Sequence, residues 1–492
     1  MNTISLQLYF CYVKHNSKIV RLTFIYQDRQ LQELYGFAIT NLSRYSEETK
    51  LIKREKFLFL VIVIVASITL WGCSPNKKQI DTEGTEITQE VTETEEEVTD
   101  VVEATPEVEE DAQVENGENA TEQEPKLSDS EKKALEATQI LEGHMTKNLT
   151  YAPLNDPKDE YNLNIVKNIH MLAIETGEYS INHTKTNYGV GGTDLGISFN
   201  LGDKTYIAYG DTFMNEGMVD GWRSNVLAVT SDIDYTDGIL FDTMVSKPGI
   251  KNAKELIPSR KVDNVEMTTI PTGGIAIGET LYMSFMSVRH WGTPGGWDCN
   301  YGSIAKSVDY GENWEVLTKL QWPGDSNFCQ MAPVIIEDYV YILGITGGRS
   351  GAAKLMRVPV KEYENFEAYE YLMGYDEKGN PIYEKGQEAI YKAYNLLPKS
   401  VGEMSVLYNK YLEEWLVTYI DGAANLVIRS AKNIYGPYSR PVIIAAQKDF
   451  PGLYGAFMNP KWVSEDGKKL GFMMSIFDPV YNTVLIELEL ER

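Results

Sequence analysis

The chain has 492 residues, 71 of them acidic against 45 basic, and a formal net charge of −26. No face rich in Lys and Arg stands out, which argues against nucleic-acid binding. The length fits two or three domains, or one large domain with accessory segments.

Residues 1–50 are mixed in character, carry no periodic pattern, and lie upstream of what reads as an export signal; they read as an extension from a start site assigned too early. The basic pair Lys53 and Arg54 then precedes an apolar run from Phe57 to Trp71, the length of a signal-peptide core and short for a spanning helix. It ends in Leu70-Trp-Gly-Cys73, which resembles a bacterial lipobox. Residues 51–73 are therefore expected to be a lipoprotein signal peptide with Cys73 the lipidated residue, anchoring an outward-facing protein to the cell membrane; the alternative is an uncleaved anchor helix. Residues 74–127 form an acidic linker: from Asp81 to Glu124 there are 18 Asp and Glu, no Lys or Arg and no aromatic residue. Such a stretch buries too little apolar surface to offset its ordering entropy and is expected to be a disordered spacer.

A short helical lead-in is expected over 128–160, opening on the Ser128-Asp-Ser cap. After Tyr151 the chain turns to short alternating apolar runs rich in Tyr, Trp and Gly. A strand, tight polar turn and second strand recur from Asp194, Pro271, Met331, Glu403 and Asn459, spaced 77, 60, 72 and 56 residues apart, each followed by a third strand. Such a repeat predicts an all-β fold over 161–492, a five-bladed β-propeller with one unit per blade. Ser307–Trp314, SVDYGENW, matches the Asp-box pattern S-x-D-x-G-x-x-W, a structural turn between the third and fourth strands of a blade. The fourth strands are the least defined. His170–Tyr179 or the C-terminal VLIELELER is expected to close the ring.

With the first hairpin turning at Gly202-Asp203, Asp194 and Asp211 are equidistant from the turn and expected to face each other across its open end. Two such carboxylates at the axial mouth raise at least one pKa, which makes a proton donor or a base from ordinary acids. The equivalent rim positions of other units offer Gln330, Glu403 and Asn459 at first-strand starts, and His290, Arg349, Asp421 and Asp478 at second-strand ends. Trp222, Trp291, Trp297 and Tyr454 lie nearby, and carboxylates ringed by flat aromatics suit a sugar chain. Glycosidic cleavage needs one carboxyl as acid and another as base or nucleophile. Each aspartate also reads as a plain turn residue. Glu403 reads as an axial acid or as a partner of Arg429, and Glu266 as a similar outsider. Asn225 reads as a substrate ligand or a loop cap; His290 as a sugar-hydroxyl ligand or a satisfied loop histidine; Arg349 as a partner for an anionic ligand group. Thr272 and Asn459 complete the candidate substrate-binding set. Cys299 and Cys329 read either as a disulfide or as two small buried residues. An axial calcium has Asp and Asn oxygens to draw on but no loop signature, and no metal site is expected. Five histidines, no G-x-S-x-G elbow and no HExxH set disfavour serine-histidine and zinc chemistry.

The motifs GGTDLG, YGDTF, RSNVLAVTSD, IPTGGI, SVDYGENW and YGAFMNPKW, in this order over about residues 180–492, resemble the domain of unknown function 4185 family. The resemblance implies a propeller fold and, from some members, endo-acting D-arabinanase activity. It also implies Asp194 and Asp211, which match the family's two acidic motifs, as catalytic residues. The expectation is a surface-tethered glycoside hydrolase acting on an arabinan-like polysaccharide without a cofactor; the alternative is a non-catalytic glycan-binding lipoprotein.

Overall fold

The computed structural model describes residues 127–152, 165–478 and 480–492. The expectations for Cys73, the signal peptide and the acidic linker fall outside these residues. Among the described residues no helix is long and apolar enough to cross a membrane.

Among the described residues, 166–490 form a ring of five antiparallel sheets. The first blade is β2 (Leu195–Leu201), β3 (Lys204–Tyr209), β4 (Val226–Thr230) and β5 (Thr243–Met244). The second is β6 (Thr268–Ile277), β7 (Thr280–Trp291), β8 (Trp297–Ser307) and β9 (Glu315–Pro323). The third runs β10 (Gln330–Ile336), β11 (Tyr339–Ile345), β12 (Lys354–Pro359), β13 (Glu370–Tyr375) and a fifth strand, β14 (Pro381–Lys385). The fourth is β15 (Val401–Asn409), β16 (Glu414–Asp421), β17 (Leu426–Ala431) and β18 (Val442–Ala445). The fifth is β19 (Leu453–Val463), β20 (Lys469–Ile476) and β21 (Asn482–Leu490), and its outer strand is β1 (Val166–Ile174), from the far end of the domain. The ring closes through this pairing, Val166 opposite Leu490 and Ile174 opposite Val484. Both segments named above as candidates for closure take part.

The local chemistry explains the hairpins. Gly202 holds a left-handed φ of 59° at the β2–β3 turn, the geometry that matches strand twist in a two-residue loop. The β8–β9 turn is held by Asp309, whose Oδ1 accepts from Ser307 Oγ (2.8 Å) and Asn313 N (2.9 Å), while Trp314 Nε1 donates to the Gly311 carbonyl (3.0 Å). The inner strands β2, β6, β10, β15 and β19 pack side by side around the axis. At Gly273 on β6 there is no room for a side chain, because an added Cβ would collide with the Met331 carbonyl of the next blade. Apolar side chains on both faces of most strands fill the space between blades, as in Ile207, Met283, Ile342, Val417 and Met473. Helix α1 (Asp129–Met145) opens on a capping box, Ser128 with Glu131, and packs on β1 through a face that buries Ala134, Ala137 and Leu141.

One buried acid lies apart from the axis. Glu175, just past β1, is fully buried, and its carboxyl accepts from Ile239 N (3.0 Å) and Asn182 Nδ2 (3.3 Å). Burial pushes its pKa up to about 8. The folded form therefore keeps a proton that the unfolded chain releases near 4.5. This stabilisation is complete below pH 4.5 and is lost as pH rises toward 8, at about 1.4 kcal/mol per pH unit. Glu175→Gln should remove that loss: relative to wild type, its urea midpoint should be higher at pH 9 than at pH 5.

Candidate functional site

A cavity of about 730 Å³ opens at one end of the axis, reached by the starts of the inner strands and the loops beyond the second strands. Asp194, immediately before β2, and Asp211, two residues after β3, both line it. They do not face each other directly. Leu195 (φ 73°) and Gly196 (φ 83°) form a bulge in which Leu195 pairs with Tyr209 and Ile197 with Ala208. The shift sets Asp194 opposite Gly210, whose N–H donates to the Asp194 carbonyl (3.2 Å). Leucine in the left-handed region is strained, and a bulge is a means of re-aiming a side chain beside a site. The flanks are pinned: Leu195 N donates to Ser475 Oγ (2.7 Å), and the Thr193 and Thr212 hydroxyls share a hydrogen bond (2.6 Å).

The two carboxyl groups sit in different surroundings. Asp194 is 9% exposed; Tyr454 Oη donates to its Oδ2 at 2.7 Å, and its buried Oδ1 has no partner among the described residues. Burial first, then the neighbouring Asp211 charge, raises its pKa to about 7 against the pull of the Tyr454 and Tyr481 hydroxyls. Asp211 accepts two bonds on Oδ1, from Thr268 Oγ1 (2.5 Å) and Trp222 Nε1 (2.7 Å). Burial raises it to about 6, with those two donors and Lys261 holding it lower than it would otherwise lie. Lys261 itself lies over the Trp222 ring, 5.2 Å from its centroid, and pairs with Glu255 (2.5 Å). Gly210 sits against Asp194 Oδ1 so closely that an added Cβ would displace the carboxyl. Gly210→Ala should leave the fold intact, since the obstacles are the ends of two side chains, Asp194 and Leu195, rather than backbone, while shifting the Asp194 titration away from about 7, as read by carboxyl NMR.

Glu403 on β15 also lines the cavity, but its partner is Arg349, not Arg429. Arg349 Nε and Nη2 donate to both of its oxygens at 2.8–3.1 Å. The guanidinium stands over the rings of Tyr454 (5.0 Å) and Trp297 (5.7 Å). Arg349 is thereby committed to a protein carboxylate rather than an anionic ligand group. Arg429 instead bonds the Tyr419 hydroxyl (2.7 Å) and the Ser439 carbonyl (2.7 Å).

Thr272, Trp291 and Trp297 line the cavity, with Gln330, Tyr454 and Trp222; the two tryptophans meet edge to face at 5.6 Å. Three other candidates lie elsewhere. Asn225 is fully buried and spends its amide on backbone, donating to Ile257 O and Thr269 O (both 2.8 Å) and accepting from Leu256 N and Ile257 N. It staples the loop after β5 to β6. His290 is turned outward, its Nδ1 2.7 Å from Asp263. Asn459 pairs with Asn200 (2.9 Å), near the turn end of β2. The reason is register: β19 starts at Leu453, so Tyr454, not Asn459, occupies the mouth. Asp421 closes a turn through Ala423 N and Asn425 N, and Glu266 accepts from Ser287 Oγ (2.9 Å) and Arg260 N (3.3 Å). Cys299 and Cys329 are free thiols. Among the described residues no group of three or more His, Cys, Asp or Glu is arranged to hold a metal ion.

Thr268, which donates to Asp211, and Tyr481, Met218, Met267, Met286 and Met404, which line the cavity, carry no signal in the sequence that marks them as site residues. Thr268 stands in an ordinary β-branched run. The methionine content, 16 in the chain, was a visible but unplaced signal.

The model of a domain of unknown function, DUF4185, matches residues 179–487. The chain belongs to the DUF4185 family. The matched DUF4185 segment contains every carboxylate of the cavity. No curated protein matches the chain. Among solved structures it is similar to a GH43_1 enzyme from Xanthomonas citri, at 11% identity and TM-score 0.39, covering 72% of this chain and 93% of that one. It is also similar to an exo-β-1,3-galactanase from Phanerochaete chrysosporium solved with β-1,3-galactotriose, at 11% identity and TM-score 0.39, covering 65% and 64%. RS223-β-xylosidase aligns at 12% identity and TM-score 0.38, covering 63% and 94%. Such distant likenesses say nothing about the chemistry of this DUF4185 cavity.

Proposed function

We propose that the protein is a glycoside hydrolase whose catalytic pair is Asp194 and Asp211. One observation carries this reading: two carboxyl groups share an aromatic-walled cavity, and their surroundings hold them near 7 and near 6. Environments that separate two carboxyls in this way assign acid and base. Asp194, more buried and about half protonated at pH 7, serves as the proton donor to the leaving oxygen. Asp211, with Oδ1 fixed by Thr268 and Trp222, acts at the anomeric carbon as base or nucleophile. Trp291 and Trp297 offer faces to a sugar ring. Glu403, neutralised by Arg349, shapes the field around Asp194 rather than transferring a proton. The proposal extends to an endo-acting enzyme on an arabinan-like polysaccharide, supported by the matching acidic motifs. It extends also to a protein exported and lipid-anchored through Cys73, supported by the Leu70–Cys73 sequence.

The test is a panel of cell-wall and plant polysaccharides incubated with the protein, reducing ends being measured over time. Release that disappears in Asp194→Asn and Asp211→Asn supports the reading. Binding without release from any polymer replaces it with the glycan-binding alternative, which the aromatic walls would also serve. For the hydrolase, kcat/KM should be bell-shaped, rising through about 6 as Asp211 ionises and falling through about 7 as Asp194 loses its proton. A pH–rate series on the polymer identified in the panel checks this.

A further inference from the structure

Few polar groups in this cavity are free to meet a sugar hydroxyl. Trp222 Nε1 is spent on Asp211, Tyr454 Oη on Asp194, and Trp297 Nε1 on Met286 Sδ (3.2 Å). Arg349 and Glu403 satisfy each other. Gln330 Nε2 is held by the carbonyls of Thr346 and Gly348, both at 3.0 Å. Gln447 donates to the carbonyls of Ala424 (3.1 Å) and Leu453 (3.0 Å) and accepts from Gly452 N (2.8 Å). Asp194 Oδ1 and Asp211 Oδ2 are the acceptors left without a protein hydrogen bond among the described residues at the reacting end.

Most of the remaining wall is apolar, with Thr272, Thr293 and Tyr481 the polar exceptions, and much of it is not flat. Met218, Met267, Met286, Met331 and Met404 line the cavity from several blades, together with Ile270. Aromatic faces suit sugar rings, but methionine thioethers are unbranched, adaptable and suited to irregular apolar groups. Each sugar hydroxyl buried here without a partner costs about tenfold or more in affinity. A fully hydroxylated sugar chain is therefore a poor match for everything but the carboxyl pair.

We infer that the glycan taken by this cavity carries an apolar substituent, an acyl, alkyl or aryl group, that fills the methionine-lined space beside the bond presented to Asp194 and Asp211. This rests on the hydrolase reading for which bond is cleaved, but not for what binds.

The test separates the two. Binding of methyl, butyl, hexyl and octyl glycosides is measured by calorimetry, below their micelle concentrations, to the Asp194→Asn/Asp211→Asn variant. One series carries arabinofuranose and another glucopyranose. The expected result is that affinity rises with chain length in at least one series, by up to about fourfold per added methylene, with an increasingly negative heat-capacity change. Unsubstituted arabino-oligosaccharides should bind at least tenfold more weakly than the octyl glycoside. Met286→Gln should flatten the chain-length dependence; Met218→Gln, at a position 39% exposed, does so without risk to the core. Affinity independent of chain length in both series, or tighter binding of the unsubstituted oligosaccharides, overturns the inference even if the wild type hydrolyses a polysaccharide. Absence of turnover by the wild type on every polysaccharide of the panel, with the chain-length dependence intact in the variant, overturns the hydrolase reading and leaves this one standing.

Discussion

Asp194→Asn should lower kcat on a polysaccharide by about 10²–10⁴ while leaving the unfolding midpoint near that of wild type. The asparagine keeps the shape and can still accept from Tyr454, so the loss falls on proton donation. A diagnostic follows from that role. A substrate whose leaving group needs no proton, such as a nitrophenyl glycoside, should recover most of the lost rate in Asp194→Asn. The same substrate should recover little in Asp211→Asn, because there the group acting at the anomeric carbon is missing. If both variants respond alike to the leaving group, the division of roles is wrong; if neither loses rate, the pair is not catalytic.

Arg349→Ala should destabilise the fold by about 3–5 kcal/mol, read by urea unfolding at pH 7. Glu403 is only 9% exposed at its side chain, and without Arg349 it is a buried charge with its bidentate partner gone. The paired replacement Arg349→Met with Glu403→Leu should recover most of that loss, since exchanging both partners strands no charge. A stability for Arg349→Ala within about 1 kcal/mol of wild type would mean that water already reaches the pair. The same single variant has a second readout. The Glu403 charge already helps to raise Asp194, and removing the guanidinium leaves it unscreened. The alkaline limb of the pH–rate profile should therefore move to higher pH.

The propeller could be read from the chain because its signals are local. Period-two alternation and a glycine turn define β2 and β3, and the same pattern returns in each unit. What escaped were features set by tertiary context. β5 is only Thr243–Met244, too short to leave a pattern, and β1 pairs with a strand at the opposite end of the sequence. The aspartates flank the expected hairpin, but its register is shifted by one residue at their end. The bulge at Leu195-Gly196 uses a leucine in a conformation that no turn rule assigns to leucine. Asn459 lies away from the mouth because YGAFM, residues 454–458, already forms the first half of β19. Arg349 and Glu403 are 54 residues apart, and nothing in either neighbourhood says which cation meets which carboxylate.

The seam between β1 and β21 has a consequence for synthesis. Val166 is made 324 positions before its partner Leu490 (490 minus 166). Four blades can form as the polypeptide emerges, each from contiguous residues, while β1 waits without its sheet. A released strand edge of that kind is a template for pairing with the wrong chain. Only when β21, nine residues long, has left the ribosome can the circle lock, so a chain lacking that strand would remain an open ring.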